Sequence, residues 1–226
     1  ACTHNPPYGR AFMLEAESGY FRREFLAGHL GLAPPPGLEA ELEALADAAE
    51  HGTTLERQRA IRDLAAIGAE AEPALAPLAE QLAAGSLDPA LRLEIVEAAK
   101  DRADGPARTA VERWQSSLGS DATARFEALA LAGGDAARGR EIVLYHQSAV
   151  CMKCHAIAGN GGNAAPALDG VAIRGDARYL LHSLINPNEK VVEGYANAGA
   201  SAMPSMQGVL TDAEMRDVVA YLATLK

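Results

Sequence analysis

The sequence predicts an all-α protein in two parts, and three observations carry that expectation. Of the 226 residues, 49% are hydrophobic but only 5% aromatic, and the apolar share is mostly Ala and Leu. Those residues favour packed helices, whereas a β-sandwich or barrel would draw on Val, Ile, Tyr and Phe. Apolar residues then recur at spacings of three and four along most of the chain after Gly37. Finally, the composition changes at Gly133-Gly134, beyond which Gly, Asn and Pro rise. Charge changes with it. Gly134 to Lys226 holds 8 basic and 9 acidic residues, leaving 12 and 21 for Ala1 to Gly133, so almost all of the formal charge of -10 lies in the first part. The reading is an N-terminal arm over 1–36, a helical repeat domain over 37–132 and a second domain over 133–226.

These values also exclude function classes. Hydrophobic and charged fractions of 49% and 22% are those of a folded chain. No stretch reaches the roughly 18 to 20 apolar residues of a membrane-spanning helix. So acidic a chain is a poor fit to nucleic acid, which needs a basic face.

In order along the chain, Pro6-Pro7 and Pro34-Pro35-Pro36 bracket a helical segment over Phe12 to Leu30 that Gly19 weakens. Leu38 to Glu50 is rich in Ala, Leu and Glu. Thr54 to Ile67 carries Leu55, Ala60, Leu64 and Ile67 near one stripe, and Gly68 stops it. Ala71 to Ala84 places Leu75, Leu78 and Leu82 on one face before Gly85. Asp88 caps and Pro89 opens the next helix, to about Ala103; Pro106 opens another, and Asp121 to Leu131 follows. After the glycine pair, Asp135 caps a helix to Gln147. Residues 156–175 read as loop, Asp176 to Ile185 as helix and Val192 to Gly208 as mostly irregular. The last helix, Thr211 to Leu225, has a capping box in Thr211 and Glu214 and a stripe of Met215, Val218, Val219, Leu222 and Leu225.

Two helix pairs look alike. The stretch LERQRAIRDLAAIG with its following helix resembles ALRLEIVEAAKDRA with its own, offset by about 33 residues, a solenoid spacing. Over roughly Thr54 to Leu118 the pattern resembles HEAT-like repeats, which implies an α-solenoid.

Chemistry is concentrated at Cys151-Met152-Lys153-Cys154-His155, the haem attachment spacing. Two thiols three positions apart can each add to a vinyl group of one haem, and the histidine that follows is held beneath the iron. A thioredoxin-type pair would want a strand before it, but a helical pattern precedes this one. A zinc ribbon would need a second ligand pair, and the chain has only one further cysteine, Cys2.

The surrounding residues make a family visible. GREIVLYHQSAVCMKCH, GNAAPALDGV, YLLHSLINPNEKVVEGY and AMPSMQGVLTDAEMRDVVAYLATL together resemble a class I cytochrome c domain, nearly end to end over 134–226. The resemblance implies one covalently bound haem c, held by Cys151 and Cys154 with His155 as an axial ligand. It implies that the helix before the motif crosses the last helix at Gly139, against Tyr221. It also implies that the Pro166 carbonyl accepts a hydrogen bond from His155, which fixes the ring and tunes its donor strength. For the second axial ligand, Met203 stands before Pro204, which disfavours helical geometry there, in the arrangement the family shows. Met206 is the alternative; Met152 and Met215 are read as facing away and as core. A bis-histidine site through His146 or His182 would need a different loop arrangement.

His/Met ligation raises the reduction potential and leaves no open position for oxygen. The expected function is therefore electron transfer and not enzymatic catalysis. The partners would be other redox proteins or subunits of a membrane-associated electron-transfer complex, with the repeats as a docking platform. The alternatives are a structural or relay subunit of such a complex and, behind it, a haem peroxidase. Haem attachment of this type implies a periplasmic or exported bacterial protein. Cys2 is open to three readings: a free thiol, a link to another subunit, or an acylated membrane anchor.

Overall fold

The computed structural model describes residues 37–100, 102, 104–197 and 199–226. The arm at 1–36, its helix and Cys2 lie outside the described residues. The chain packs as two compact units, one ending at Pro77 and the other running from Leu78 to Lys226.

In the first unit, α1 (Leu38–His51) and α2 (Thr54–Ile67) pack against each other. The turn between them is set by Thr53. Its hydroxyl oxygen accepts the Glu56 N–H, and the Glu56 carboxylate accepts the Thr53 N–H at 2.8 Å. Such a box satisfies donors that a helix start leaves orphaned. Arg57 adds a bond from its Nε to the Ala49 carbonyl at 3.0 Å. The face of α2 made by Ala60, Ile61, Leu64 and Ile67 is buried, as its spacing predicts, while Leu55 is exposed. Gly68, at φ 95°, ends the helix in a conformation that disfavours side chains. A short 3-10 turn (Ala69–Ala71) leads into α3 (Glu72–Ala83), which contains Pro77.

The second unit continues with α4 (Arg92–Lys100), α5 (Pro106–Ser117) and α6 (Ala122–Ala130). The helix expected from Asp88 opens as a 3-10 turn over Pro89–Leu91, where the Asp88 carboxylate accepts the Ala90 N–H at 3.0 Å. Helix α4 packs on α5 and α6. Next come α7 (Ala136–Tyr145), the short α8 (Val171–Arg174), α9 (Ala177–Ile185) and α10 (Asp212–Leu222). Asp135 and Asp176 cap α7 and α9, and Thr211 with Glu214 forms the capping box of α10. Two small hairpins occur inside segments that the sequence reads as irregular: β1 (Ala156–Ile157) with β2 (Asn160–Gly161), and β3 (Ala196–Asn197) with β4 (Ala200–Ser201).

Helices α7 and α10 cross at Gly139. A Cβ there would lie 1.9 Å from the Asp217 carbonyl oxygen and 2.9 Å from the Tyr221 Cβ, so only glycine lets the backbones approach this closely. Around the crossing lies one apolar core: Ile142, Val143, Leu180, Leu181, Leu184, Met206, Met215, Val218 and Leu222. Helix α6 packs on both α9 and α10. A further link is polar. Arg216 of α10 donates to both carboxylate oxygens of Glu94 on α4 at 2.8 and 3.0 Å, with both side chains at most 4% exposed. This buried fork ties the last helix to one that stands before Gly133-Gly134.

Candidate functional site

The core around α7 and α10 carries the haem motif on its rim. Helix α7 ends at Tyr145, and the chain turns through His146 to Val150. His146 shapes that turn. Its Nδ1 accepts the N–H groups of Ser148 and Ala149 at 3.3 and 3.0 Å, while Nε2 lies 3.7 Å from Glu214. Burial opposes the charge on Glu214, yet the Thr211 hydrogen bonds, with help from His146 and Arg138, hold its carboxyl below the usual range. Val150 sits at φ 40°, a costly conformation for a β-branched residue, and starts the 3-10 turn over Cys151–Lys153.

The motif occupies that tight turn. The Cys154 and His155 N–H groups donate to the Cys151 carbonyl at 3.2 and 3.0 Å. This brings Cys151, Cys154 and His155 together on one tight loop. Cys151 is half-buried against the core, and Cys154 is exposed. Burial pushes the Cys151 thiol up, against a hydrogen bond from its own backbone N–H.

A glycine-rich strand braces the turn from behind. The Gly162 N–H donates to the Met152 and His155 carbonyls at 2.9 and 3.0 Å. A Cβ at Gly162 would come 2.1 Å from the Lys153 oxygen, and one at Gly161 would come 2.2 Å from the His155 oxygen. Gly161 and Gly162 are therefore backbone-contact residues of the site.

His155 faces the loop that follows the motif. Its Nδ1 stands 2.7 Å from the Pro166 carbonyl oxygen. A carbonyl can only accept, so Nδ1 carries the proton and Nε2 keeps its lone pair for a metal. Pro166 is held by its neighbours. Arg174 donates to the Asp169 and Ala167 carbonyls at 2.9 and 2.5 Å, and Asp169 accepts the Ala158 N–H at 2.9 Å. Arg174 and Asp169 escaped the sequence reading, because nothing in a lone Arg or Asp announces that it will clamp a loop.

Met203 is half-buried against the same core, and Met206 is buried within it. The two histidines weighed as alternative ligands are engaged elsewhere. His146 holds its turn, and His182 bridges Glu127 at 2.7 Å through Nε2 and Glu189 at 3.0 Å through Nδ1. Among the described residues, no three or more His, Cys, Asp or Glu side chains converge on a bare metal ion.

These residues fit a haem: a thiol pair at attachment spacing, a tautomer-fixed imidazole beside it, and an apolar wall. Comparison with known proteins gives the same class. Residues 136–226 match the family model for Cytochrome c. That segment is a cytochrome c domain, and it carries a covalently bound c-type haem. No curated protein and no solved structure matches the chain. When bound, such a haem supplies a one-electron iron couple, and Cys151, Cys154 and His155 are the residues that would hold it.

Proposed function

We propose that this protein carries single electrons between a donor and an acceptor redox protein, through one haem c with His155 and Met203 as axial ligands. The observation that carries the reading is the 2.7 Å contact of His155 Nδ1 with the Pro166 carbonyl, beside the paired cysteines. It leaves Nε2 available to an iron and would raise its donor strength, which supports His155 as an axial ligand. Support for Met203 comes from its half-buried place on the apolar wall, from Pro204 after it, and from the partners already held by His146 and His182. A thioether favours ferrous iron, so the haem would pass electrons to a stronger oxidant. With both axial positions filled, electron transfer is favoured over oxygen or peroxide chemistry.

In this reading the acidic helices over 37–132, taken as HEAT-like repeats, present a docking surface for basic redox partners, and the protein works outside the cytoplasmic membrane. Among the described residues, no helix is long and apolar enough to cross a membrane.

The test is the near-infrared band of sulfur-to-ferric-iron charge transfer in the holoprotein. Wild type should show it, and Met203→Ala should lose it, with a lowered reduction potential and new binding of added imidazole. An unchanged spectrum in Met203→Ala would move the ligand to another residue, with Met206→Ala as the next variant.

A further inference from the structure

The chain that carries Met203 is fastened unequally on its two sides. After Met203 the ties lead into the core. The Met206 N–H donates to the Leu184 carbonyl at 2.8 Å, and the Ser205 hydroxyl donates to the Ile185 carbonyl at 2.8 Å. Both acceptors lie on the last turn of α9, and Met206 itself is buried. Pro204 has no N–H to add to this set.

Before Met203 the chain runs through the exposed β3–β4 hairpin, where burial offers little hold. Two side chains take over. Asn188 Oδ1 accepts the Ser201 N–H at 2.8 Å, and Ser201 Oγ accepts the Met203 N–H at 3.1 Å. A backbone N–H needs an acceptor, so the amide oxygen of Asn188 faces Ser201. Asn188 is itself placed by its neighbour. The Glu189 N–H donates to the Asn186 carbonyl at 3.0 Å, and the Glu189 carboxylate meets His182 on α9. A string of bonds thus runs from α9 through Asn188 and Ser201 to the backbone of Met203.

We propose that Asn188 and Ser201 are positioning residues for Met203: they hold its backbone so that the thioether stays on the iron. The inference rests on the reading of Met203 as the second axial ligand. Neither side chain needs to touch the haem. Their contribution is to the closed state of the loop, against a state in which the sulfur has left and another ligand can bind.

The experiment measures imidazole binding to the ferric holoprotein, with the near-infrared band followed in parallel. Ser201→Ala and Asn188→Ala should each bind imidazole about fivefold more tightly than wild type, as the loss of one hydrogen bond predicts. Ser201→Thr and Asn188→Asp keep the acceptor and should return the affinity to the wild-type value. A merely structural role would instead lower the unfolding midpoint and leave imidazole affinity unmoved, and that result would overturn the proposal. Met203→Ala separates the two readings. If it loses the band while both alanine variants bind imidazole as wild type does, the positioning role alone fails. If it keeps the band, Met203 is not the ligand, and the positioning role falls with it.

Discussion

Helices α2 and α10 begin alike and are used differently. Each starts with a Thr-x-x-Glu box, Thr53 with Glu56 and Thr211 with Glu214, closed by the same reciprocal bonds. Helix α2 buries a stripe of Ala60, Ile61, Leu64 and Ile67, as an amphipathic helix should. Helix α10 buries such a stripe too, but its charged residues each engage a different neighbour. Asp212 takes Arg125 of α6, Glu214 faces His146 ahead of the haem motif, Arg216 forks onto Glu94 of α4, and Asp217 accepts the Asp135 N–H at the start of α7. Apolar burial is non-directional, so a stripe brings helices together without fixing their register. Directional bonds fix it, and each of the four charged residues of α10 makes one.

The largest effect should come from the buried fork. Arg216→Ala or Glu94→Ala removes the counter-charge of a buried partner and should cost about 3–5 kcal/mol by urea unfolding. Replacing both by apolar residues of similar size should cost less than either single change. Equal losses in single and double variants would mean that packing, not charge, sets the cost.

Next is the helix crossing. Gly139→Ala pushes a methyl into the Asp217 carbonyl and should cost about 1–3 kcal/mol, with loosening around the haem motif. Gly85 meets no atom within 4 Å, so its alanine variant carries only the smaller penalty of its φ of 75°.

The two capping boxes sharpen the comparison directly. Thr53→Ala and Thr211→Ala should each cost about 1 kcal/mol. Only Thr211→Ala should also disturb the haem spectrum, because it frees Glu214 beside His146.

The smallest effect is a pH dependence. The Glu189 hydrogen bond, aided by Glu127 and opposed by burial, raises the pKa of His182 above its ordinary 6.5. Arg178, paired with Glu127, and Lys190, over the Tyr179 ring, are the cations nearby. A raised pKa in the folded state means that this stabilisation is full below the unfolded pKa and lost as pH rises through the folded one. Stability should therefore fall as pH rises from about 6.5 through the raised folded-state pKa, and His182→Gln should flatten that slope in a thermal melt. Asp217 gives the same sign lower on the pH scale: burial raises its carboxyl above the ordinary 3.8, so its contribution also falls as pH rises through that range.

The helices and their caps were legible because they follow local rules. Asp88, Asp135 and Thr211 all cap where the sequence places them. The candidate attachment residues stand out because their spacing is itself the chemistry. The clamps on the site do not. Arg174, Asn188 and Ser201 act through contacts to backbone in other segments, and their partners are set by loop paths that periodicity does not encode. The same holds for Glu94 and Arg216, 122 positions apart and buried together. The boundary at Gly133-Gly134 marks a real change of composition. The helices on its two sides nonetheless share one compact unit from Leu78, a joining that a change of composition does not reveal.

The central claim is the attachment of haem at Cys151 and Cys154. Intact mass spectrometry of the native holoprotein, unfolded in acid, tests it most directly. The expected mass is that of the polypeptide plus one haem, reverting to the bare polypeptide when both cysteines are replaced by alanine. A wild-type mass equal to the bare chain, with the chromophore lost on unfolding, would contradict it.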